Sequence, residues 1–426
     1  MWTLGNTLKA FLCFTMLFIL GNSVSAQELK LDLLVEEALK NNPDIRASQA
    51  GVEAARLRIP QSKSLPDPMV MFGYQNEGFD RYTYGEEQGA QWMFSASQQF
   101  FFPGKLSLKG DMAGRDAESL EAMHELLKLK TAARVKEIFF DLFLAYKNID
   151  LLKSKEDLLI RLETVVLGRY AAGKAMQQEV LMAQTEKYML MEKEEMFKQK
   201  IQFLEAMLRA VLGRGAGGSV GRPAEPLPEM FVSTRDDVLQ MADQHSPEIR
   251  SKEKKVEAAN SRFRLAEKEY YPDFNVNAGY FNRKGGFKDM WSATTTLNIP
   301  LYYNTRQKPA VMEAKAYLVQ AKQELVAVKL MTSAAVQDNF SMIKTAEKLM
   351  DLYRNGLIPK NTQDVEAAFA GYSTGRTDAI VVISRLKALL DYESLYWNQF
   401  VEREKALARL HAVTGGLEQA PGDGRK

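Results

Sequence analysis

NPDIRASQAGVEAAR (Asn42–Arg56) and SPEIRSKEKKVEAAN (Ser246–Asn260) are two versions of one fifteen-residue phrase. Each opens on a capping residue followed by Pro, an acid, Ile and Arg, and each runs on through Val-Glu-Ala-Ala. Asn and Ser are favoured N-caps, and proline at the first helical position gives up an N–H that has no acceptor there. Each phrase therefore predicts the start of a helix, running to about Lys63 in one case and about Lys268 in the other. Pro60 should kink the first helix near its end. LPDP at 65–68 and YYPD at 270–273 then stop the two helices, because the residue before a proline disfavours helix.

The pairing extends far beyond the phrase. Pro43 and Pro247 lie 204 residues apart, Gly73 and Gly279 206, Gly173 and Gly375 202, and Gly213 and Gly415 202. A near-constant offset predicts two structural repeats, 27–213 and 235–416, with a Gly/Pro-rich linker at 214–234. Where the first repeat meets it, Gly213, Gly215 and Gly218 match a dinucleotide fingerprint in spacing alone. A helix precedes them and Pro223, Pro226 and Pro228 follow, so a flexible linker is the better reading.

The rest of the composition narrows the class by exclusion. Lys plus Arg number 56 against 54 Asp plus Glu in 426 residues, a net charge of +2 that points to no nucleic-acid partner. Residues 1–26 read as a signal peptide: Lys9 leads an apolar run from Ala10, and Val-Ser-Ala ends at Ala26. The only cysteine, Cys13, falls inside that run, so the exported chain has no thiol and no disulfide framework. His124, His245 and His411 are far apart in sequence, and His124 lacks the second histidine of a zinc-protease motif. No catalytic residues, metal site or cofactor are expected. Residues 417–426 read as a disordered tail.

Two strand candidates occur in each repeat, at about 69–79 and 91–102, and at 273–283 and 290–301. They are rich in aromatic and β-branched residues, and FNVNAGYF from Phe274 alternates with period two. Each is about the length of a tilted membrane-spanning strand. Trp92 and Trp291 open the second strand of each pair, while Phe100, Phe101, Phe102 and Tyr302 close it, as in an interfacial aromatic girdle. A soluble hairpin with an aromatic core has the same local signature. Pro66, Pro103, Gly104, Pro272 and Pro300 mark turns between strands and helices.

The helices favour the membrane reading. No proline occurs from Gly104 to Arg222, and Pro359 is the only one from Ala310 to Ala420. A helix from Lys105 to Tyr170 is about 100 Å long, beyond what an ordinary globular domain holds. The helices on either side hold nearly as many residues together, so two shorter helices stacked end to end are expected to pair along each long one. No apolar run after Ala26 reaches the length of a spanning helix, so a membrane crossing must use strands. Four strands cannot close a barrel, and an open sheet edge is not tolerated in lipid. Three copies supply twelve strands, enough for a water-filled lumen. The predicted class is thus an α+β membrane protein: a trimeric 12-stranded barrel continued by a long α-helical barrel.

Several phrases, in order and doubled, resemble the TolC-like outer-membrane efflux protein family over Leu31–Gly416. They are ALKNNPDIRASQAGVEAARLRIPQSKSLPDP from Ala38, QQFFFPGKLSLK from Gln98, RYAAGKAMQQEVLMAQTEKYML from Arg169 and GYSTGRTDAIVVISRLKALLDYE from Gly371. The resemblance implies a homotrimer in the outer membrane with a periplasmic extension. It further implies a periplasmic adaptor and an inner-membrane RND-type pump as partners, and a role as exit duct rather than enzyme. SLPDPMVMFGYQNEG, FFFPGKLSLK and NGLIPKNTQDVEAAFAGYSTGRTD look most like the heavy-metal cation branch; drug efflux and type I protein secretion are the alternatives within the family. A soluble periplasmic coiled-coil scaffold is the alternative of another class. In the family the turns at Tyr170/Gly173 and Tyr372/Gly375 form the periplasmic mouth, which makes Glu179, Arg376 and Asp378 candidate gate residues. Glu179 is expected to pair with Arg376. The carboxylates often found six and nine residues past the second glycine are Val381 and Ser384 here, so no acidic ring carries over. Met176, Met182, Met189, Met191, Met196 and Met207 crowd one helix; gap-filling in a coiled coil is favoured over Cu(I) binding.

Overall fold

The computed structural model describes residues 29–215, 217 and 220–416. The expected signal peptide and tail, and Gly218 of the linker, lie outside the described residues. Helices α1 (Leu31–Asn41) and α2 (Pro43–Lys63) lead to strands β1 (Met69–Gln75) and β2 (Gln91–Phe100). Then come α3 (Lys105–Ala171), of 67 residues, and α4 (Gln177–Val211). The order repeats as α5 (Arg235–His245), α6 (Pro247–Lys268), β3 (Asp273–Asn282), β4 (Met290–Asn298), α7 (Gln307–Leu352), α8 (Ile358–Ser373) and α9 (Ala379–Thr414).

Both opening phrases start helices at proline. Asn42 Oδ1 caps α2 by accepting from the N–H groups of Asp44 (2.9 Å) and Ile45 (3.2 Å), whereas Ser246 makes no side-chain cap on α6. Helix α2 passes through Pro60 to Lys63. Pro359 acts differently. Before it, Tyr353–Leu357 forms a π-helical segment, and the Ile358 N–H reaches back to the Tyr353 carbonyl. Proline removes one donor and crowds the carbonyl four residues earlier; widening the ladder by one residue accommodates both.

The chain divides into two compact units that share the long helices: 29–38, Val135–Glu229 and Ala346–Glu404 form one, and Leu39–Arg134, Met230–Thr345 and 405–416 the other. In the first unit, one core joins α1, residues 135–149 of α3 and the stripe Ile201, Leu204 and Leu208 of α4, with Phe197 and Val211 at its edge. A second core joins Leu159, Leu162 and Val166 of α3 to Val180 of α4, Val365 and Tyr372 of α8, and Val382, Ile383 and Leu386 of α9. Part of the linker is packed rather than free: Val220 is in the first core, Arg222 pairs with Asp150, and Leu29 and Arg222 exchange a backbone bond of 3.0 Å. Nearby, Arg403 donates to Glu347 (3.2 Å), to Glu404 and to the Glu229 carbonyl (2.8 Å). Burial pushes the Glu404 carboxyl up from its ordinary range, against the pull of Arg403.

In the second unit, residues 105–134 of α3 lie against α2 through Arg56–Glu121 (2.6 Å). They meet α6 through Arg115–Glu257 (3.0 Å) and Lys254–Glu118 (3.0 Å). Thus α2 accompanies the first part of the long helix in this unit, and α4 the later part in the other. The four strands form one antiparallel sheet in the order β1-β2-β3-β4. All four strands are shorter than expected. Strand β1 stops at Gln75 because the Asn76 side chain takes over, donating to the Gly78 and Arg81 carbonyls and accepting from the Thr83 N–H. Phe101, Phe102 and Tyr302 lie past the strand ends: Phe102 turns its N–H to Asp273 Oδ1 (2.8 Å) and stacks on Tyr271.

Where β2 passes into α3, Lys105 is 1% exposed. Its ammonium donates to Asp273 Oδ1 (2.9 Å), the Tyr271 carbonyl (3.1 Å) and Glu269 Oε2 (3.2 Å). A cation at a helix N-terminus opposes the helix dipole, and the two carboxylates offset that. This socket ties the sheet to the long helix.

Candidate functional site

Side chains alternate across a strand, and register carries each face across the sheet. Phe72 lies opposite Phe94, Phe94 opposite Tyr280, and Tyr280 opposite Trp291. Val70, Tyr74, Trp92, Phe100, Phe274, Val276 and Leu297 belong to the same face. Ring centroids 5.2 Å apart for Phe72–Trp92 and 5.4 Å for Phe100–Phe274 confirm the sharing. The opposite face carries Ser95, Ser97, Gln99, Asn275, Asn277, Ser292, Thr294 and Thr296, together with Met69, Met71, Met93, Phe281 and Met290. One face is aromatic and aliphatic, the other largely polar.

Neither face is packed as a core: Val70 is 81% exposed and Trp291 80% on one, and Met71 is 52% exposed on the other. A wall that is apolar on one side and polar on the other is what a channel in lipid requires of its strands. Among the described residues, no helix is long and apolar enough to cross a membrane.

The two helical turns are built alike. Gly173 (φ +67°) and Gly375 (φ +77°) occupy the left-handed position that closes a helix, where a side chain would be strained. Across them the Lys174 N–H bonds the Arg169 carbonyl and the Arg376 N–H the Gly371 carbonyl, both at 2.8 Å. Arg169, which the sequence did not single out, joins the turns. It donates to the Tyr372 carbonyl and to the Lys174 carbonyl (3.2 Å), and its guanidinium sits 4.7 Å from the Tyr372 ring centre. Tyr372 is buried and donates its hydroxyl to Glu179 Oε2 (2.9 Å). Glu179 also accepts from the Met176 N–H (3.4 Å) in the first turn of α4, where a carboxylate suits the helix dipole.

The expected Glu179–Arg376 pair is therefore not the contact within one chain. Tyr372 takes the carboxylate because burial leaves its hydroxyl in need of an acceptor, while Arg376 is exposed and forms no ion pair among the described residues. Tyr170 and Asp378 are exposed at the same turns. Burial first, then the hydrogen bond and charge of Glu179, push the Tyr372 phenol up to about 12, against the pull of Arg169. Of the six methionines, Met182 and Met207 pack against the cores, while Met176, Met189, Met191 and Met196 are exposed. Among the described residues no cluster of His, Cys, Asp or Glu is placed to hold a metal.

Comparison with known proteins agrees with this wall. Solved structures with the same fold include CusC, studied for the conformational changes that accompany folding and transmembrane channel formation. It has 15% identity and a TM-score of 0.78, over 92% of this chain and 93% of that one. A membrane protein from Pseudomonas aeruginosa has 18% identity and a TM-score of 0.79, over 91% and 90%. The outer membrane protein VceC from Vibrio cholerae has 17% identity and a TM-score of 0.76, over 91% and 96%. No curated protein matches in sequence. The class is thus an outer-membrane channel, not an enzyme. Residues 34–214 and 238–416 both match the family described as outer membrane efflux protein, and the chain belongs to that family.

The raised phenol gives a titration to look for. Tyrosine ionises near pH 10 when free. The folded value lies higher, so the stability this group contributes is full below about pH 10 and is lost as pH rises through about 12. Ultraviolet titration of the parent minus Tyr372→Phe should show one phenol ionising near 12, and Glu179→Gln should move it down; a difference centred at 10 would contradict the contact.

Proposed function

We propose that the chain is the exit duct of a tripartite efflux pump. Three copies close a 12-stranded barrel in the outer membrane, and their helices continue into the periplasm to meet an adaptor and an inner-membrane RND-type pump. The observation that carries this reading is the four-strand sheet itself, with one face for lipid, one for water, and two edges that must be paired. The two repeats, 27–213 and 235–416, then place six similar hairpins around one axis. Trp92, Phe100 and Trp291 lie at the strand ends, where an interfacial girdle belongs.

The same reading puts the turns at Gly173 and Gly375 at the periplasmic mouth. There the Arg169–Tyr372–Glu179 contact holds two helical turns of one chain together and favours the closed state. Arg376 and Asp378 are exposed beside it, free to meet a neighbouring copy. Heavy-metal cations are the proposed substrate, on the sequence resemblance alone. The fold is equally close to CusC and to the Pseudomonas aeruginosa and Vibrio cholerae proteins, so it selects no substrate.

Light scattering of the detergent-solubilised protein should give three times the chain mass; a conducting monomer or dimer would end the closed-barrel reading. In planar bilayers Glu179→Ala and Tyr372→Phe should each raise single-channel conductance, and conductance equal to the parent in both would remove this contact from the gate. Deleting the gene should sensitise cells to a metal cation such as copper, silver, zinc or cobalt. Unchanged metal tolerance with new sensitivity to dyes or detergents would reassign the substrate to organic compounds.

A further inference from the structure

We propose that Gln307 docks against the Lys63–Asp67 segment of a neighbouring copy of this chain, repeating between chains the junction that Lys105 makes within one. The inference rests on the trimer reading and adds the residues that join one copy to the next.

Lys105 and Gln307 are equivalent positions. Each is the first residue of a helical run, Lys105–Ala171 and Gln307–Ser373, and the two runs have the same number of residues. They are 202 apart, like Gly173 and Gly375. The acceptors around Lys105 belong to Glu269, Tyr271 and Asp273. At the 206-residue offset of Gly73 and Gly279, their counterparts are Lys63, Leu65 and Asp67.

Lys105 finds its partners in the same chain because it follows β2, and β2 lies beside β3, which begins at Asp273. Gln307 follows β4, an edge strand. The strand that repetition places beside β4 is β1, the other edge, and the segment entering β1 is Lys63–Asp67. Within one chain both edges are open, so that segment must come from a second copy.

The side chains match this exchange. Lysine is a donor only, and its socket offers three acceptors. The glutamine amide both donates and accepts, and it would face one donor, Lys63, and two acceptors, the Asp67 carboxylate and the Leu65 carbonyl. Gln307 is 9% exposed, yet its Oε1 has no hydrogen-bond partner in the single chain. It lines a cleft with Pro300 and Tyr302 that also takes in Lys105 and Asp273 of the same chain's socket. Lys63 and Asp67 are exposed and form no ion pair among the described residues. Once the Gln307 amide turns outward from its covered position, an acceptor with no donor and an exposed lysine with no acceptor answer each other across the open edge.

The test uses the full chain in detergent with Cys13→Ser, carrying Gln307→Cys and Asp67→Cys. A short bifunctional thiol reagent should give linked species up to three chains on denaturing gels, and none when either cysteine is alone. A second measurement reads coupling. Gln307→Leu and Lys63→Met should each lower the temperature at which the oligomer dissociates, and the double variant should be no worse than the more affected single. A particle of trimer mass that never links between chains, or losses that simply add, overturns the docking and leaves the trimer reading standing. A monomeric mass overturns both.

Discussion

A strand edge in hydrocarbon has nothing to bond. Each unpaired N–H or C=O there costs several kcal/mol, and no water is present to relieve it. The chain supplies four strands in one sheet with two open edges, and everything else follows from where those edges go. A sheet folded on itself within the chain would bury one face. Here both faces stay exposed, and they differ: rings and aliphatics dominate one, amides and hydroxyls with a few methionines the other. Closure through further copies, as in the proposed function, would satisfy the edges and give each face its own solvent.

The helices answer a different problem, which is to hold a sheet that has no core beneath it. The Lys105 socket does this by direct bonding. Removing one partner of such a buried charge group leaves the others uncompensated, a loss of about 3–5 kcal/mol where it has been measured. Exposed pairs such as Arg56–Glu121 along α2 and α3 contribute under about 1 kcal/mol each. The apolar cores among α1, α3, α4, α8 and α9 carry the helical units, and the sheet depends on the junctions.

Most of the fold was legible because its signals are local. Proline after a capping residue placed the start of α2 and α6, and a long proline-free stretch placed α3. The strand ends were not legible to the residue, because aromatic content continues past the point where pairing stops; Asn76 and Asp273 decide that by hydrogen bonds. The site was legible by position and not by contact. Glycine at a left-handed φ announced both turns, but Glu179 bonds a tyrosine 193 residues away and Lys105 bonds groups more than 160 residues away. Arg169 had a weak signal only, a basic residue in the last turn of a helix, which is common.

The π-helical segment before Pro359 has an arithmetic consequence. In α3 the buried positions Ile138, Ala145, Leu152, Leu159 and Val166 step by seven without interruption. In the matching run, Val336, Ile343 and Met350 step by seven, then Ile358, Val365 and Tyr372 do the same, with a single step of eight between Met350 and Ile358. The widened turn absorbs one surplus residue and so hands the seam on in phase. Without it, the inward-facing position would fall on Gly371 instead of Tyr372, leaving the hydroxyl aimed about 100° away from Glu179. The register of the second turn is thus set well upstream of it, in the π-helical segment Tyr353–Leu357 that precedes Pro359.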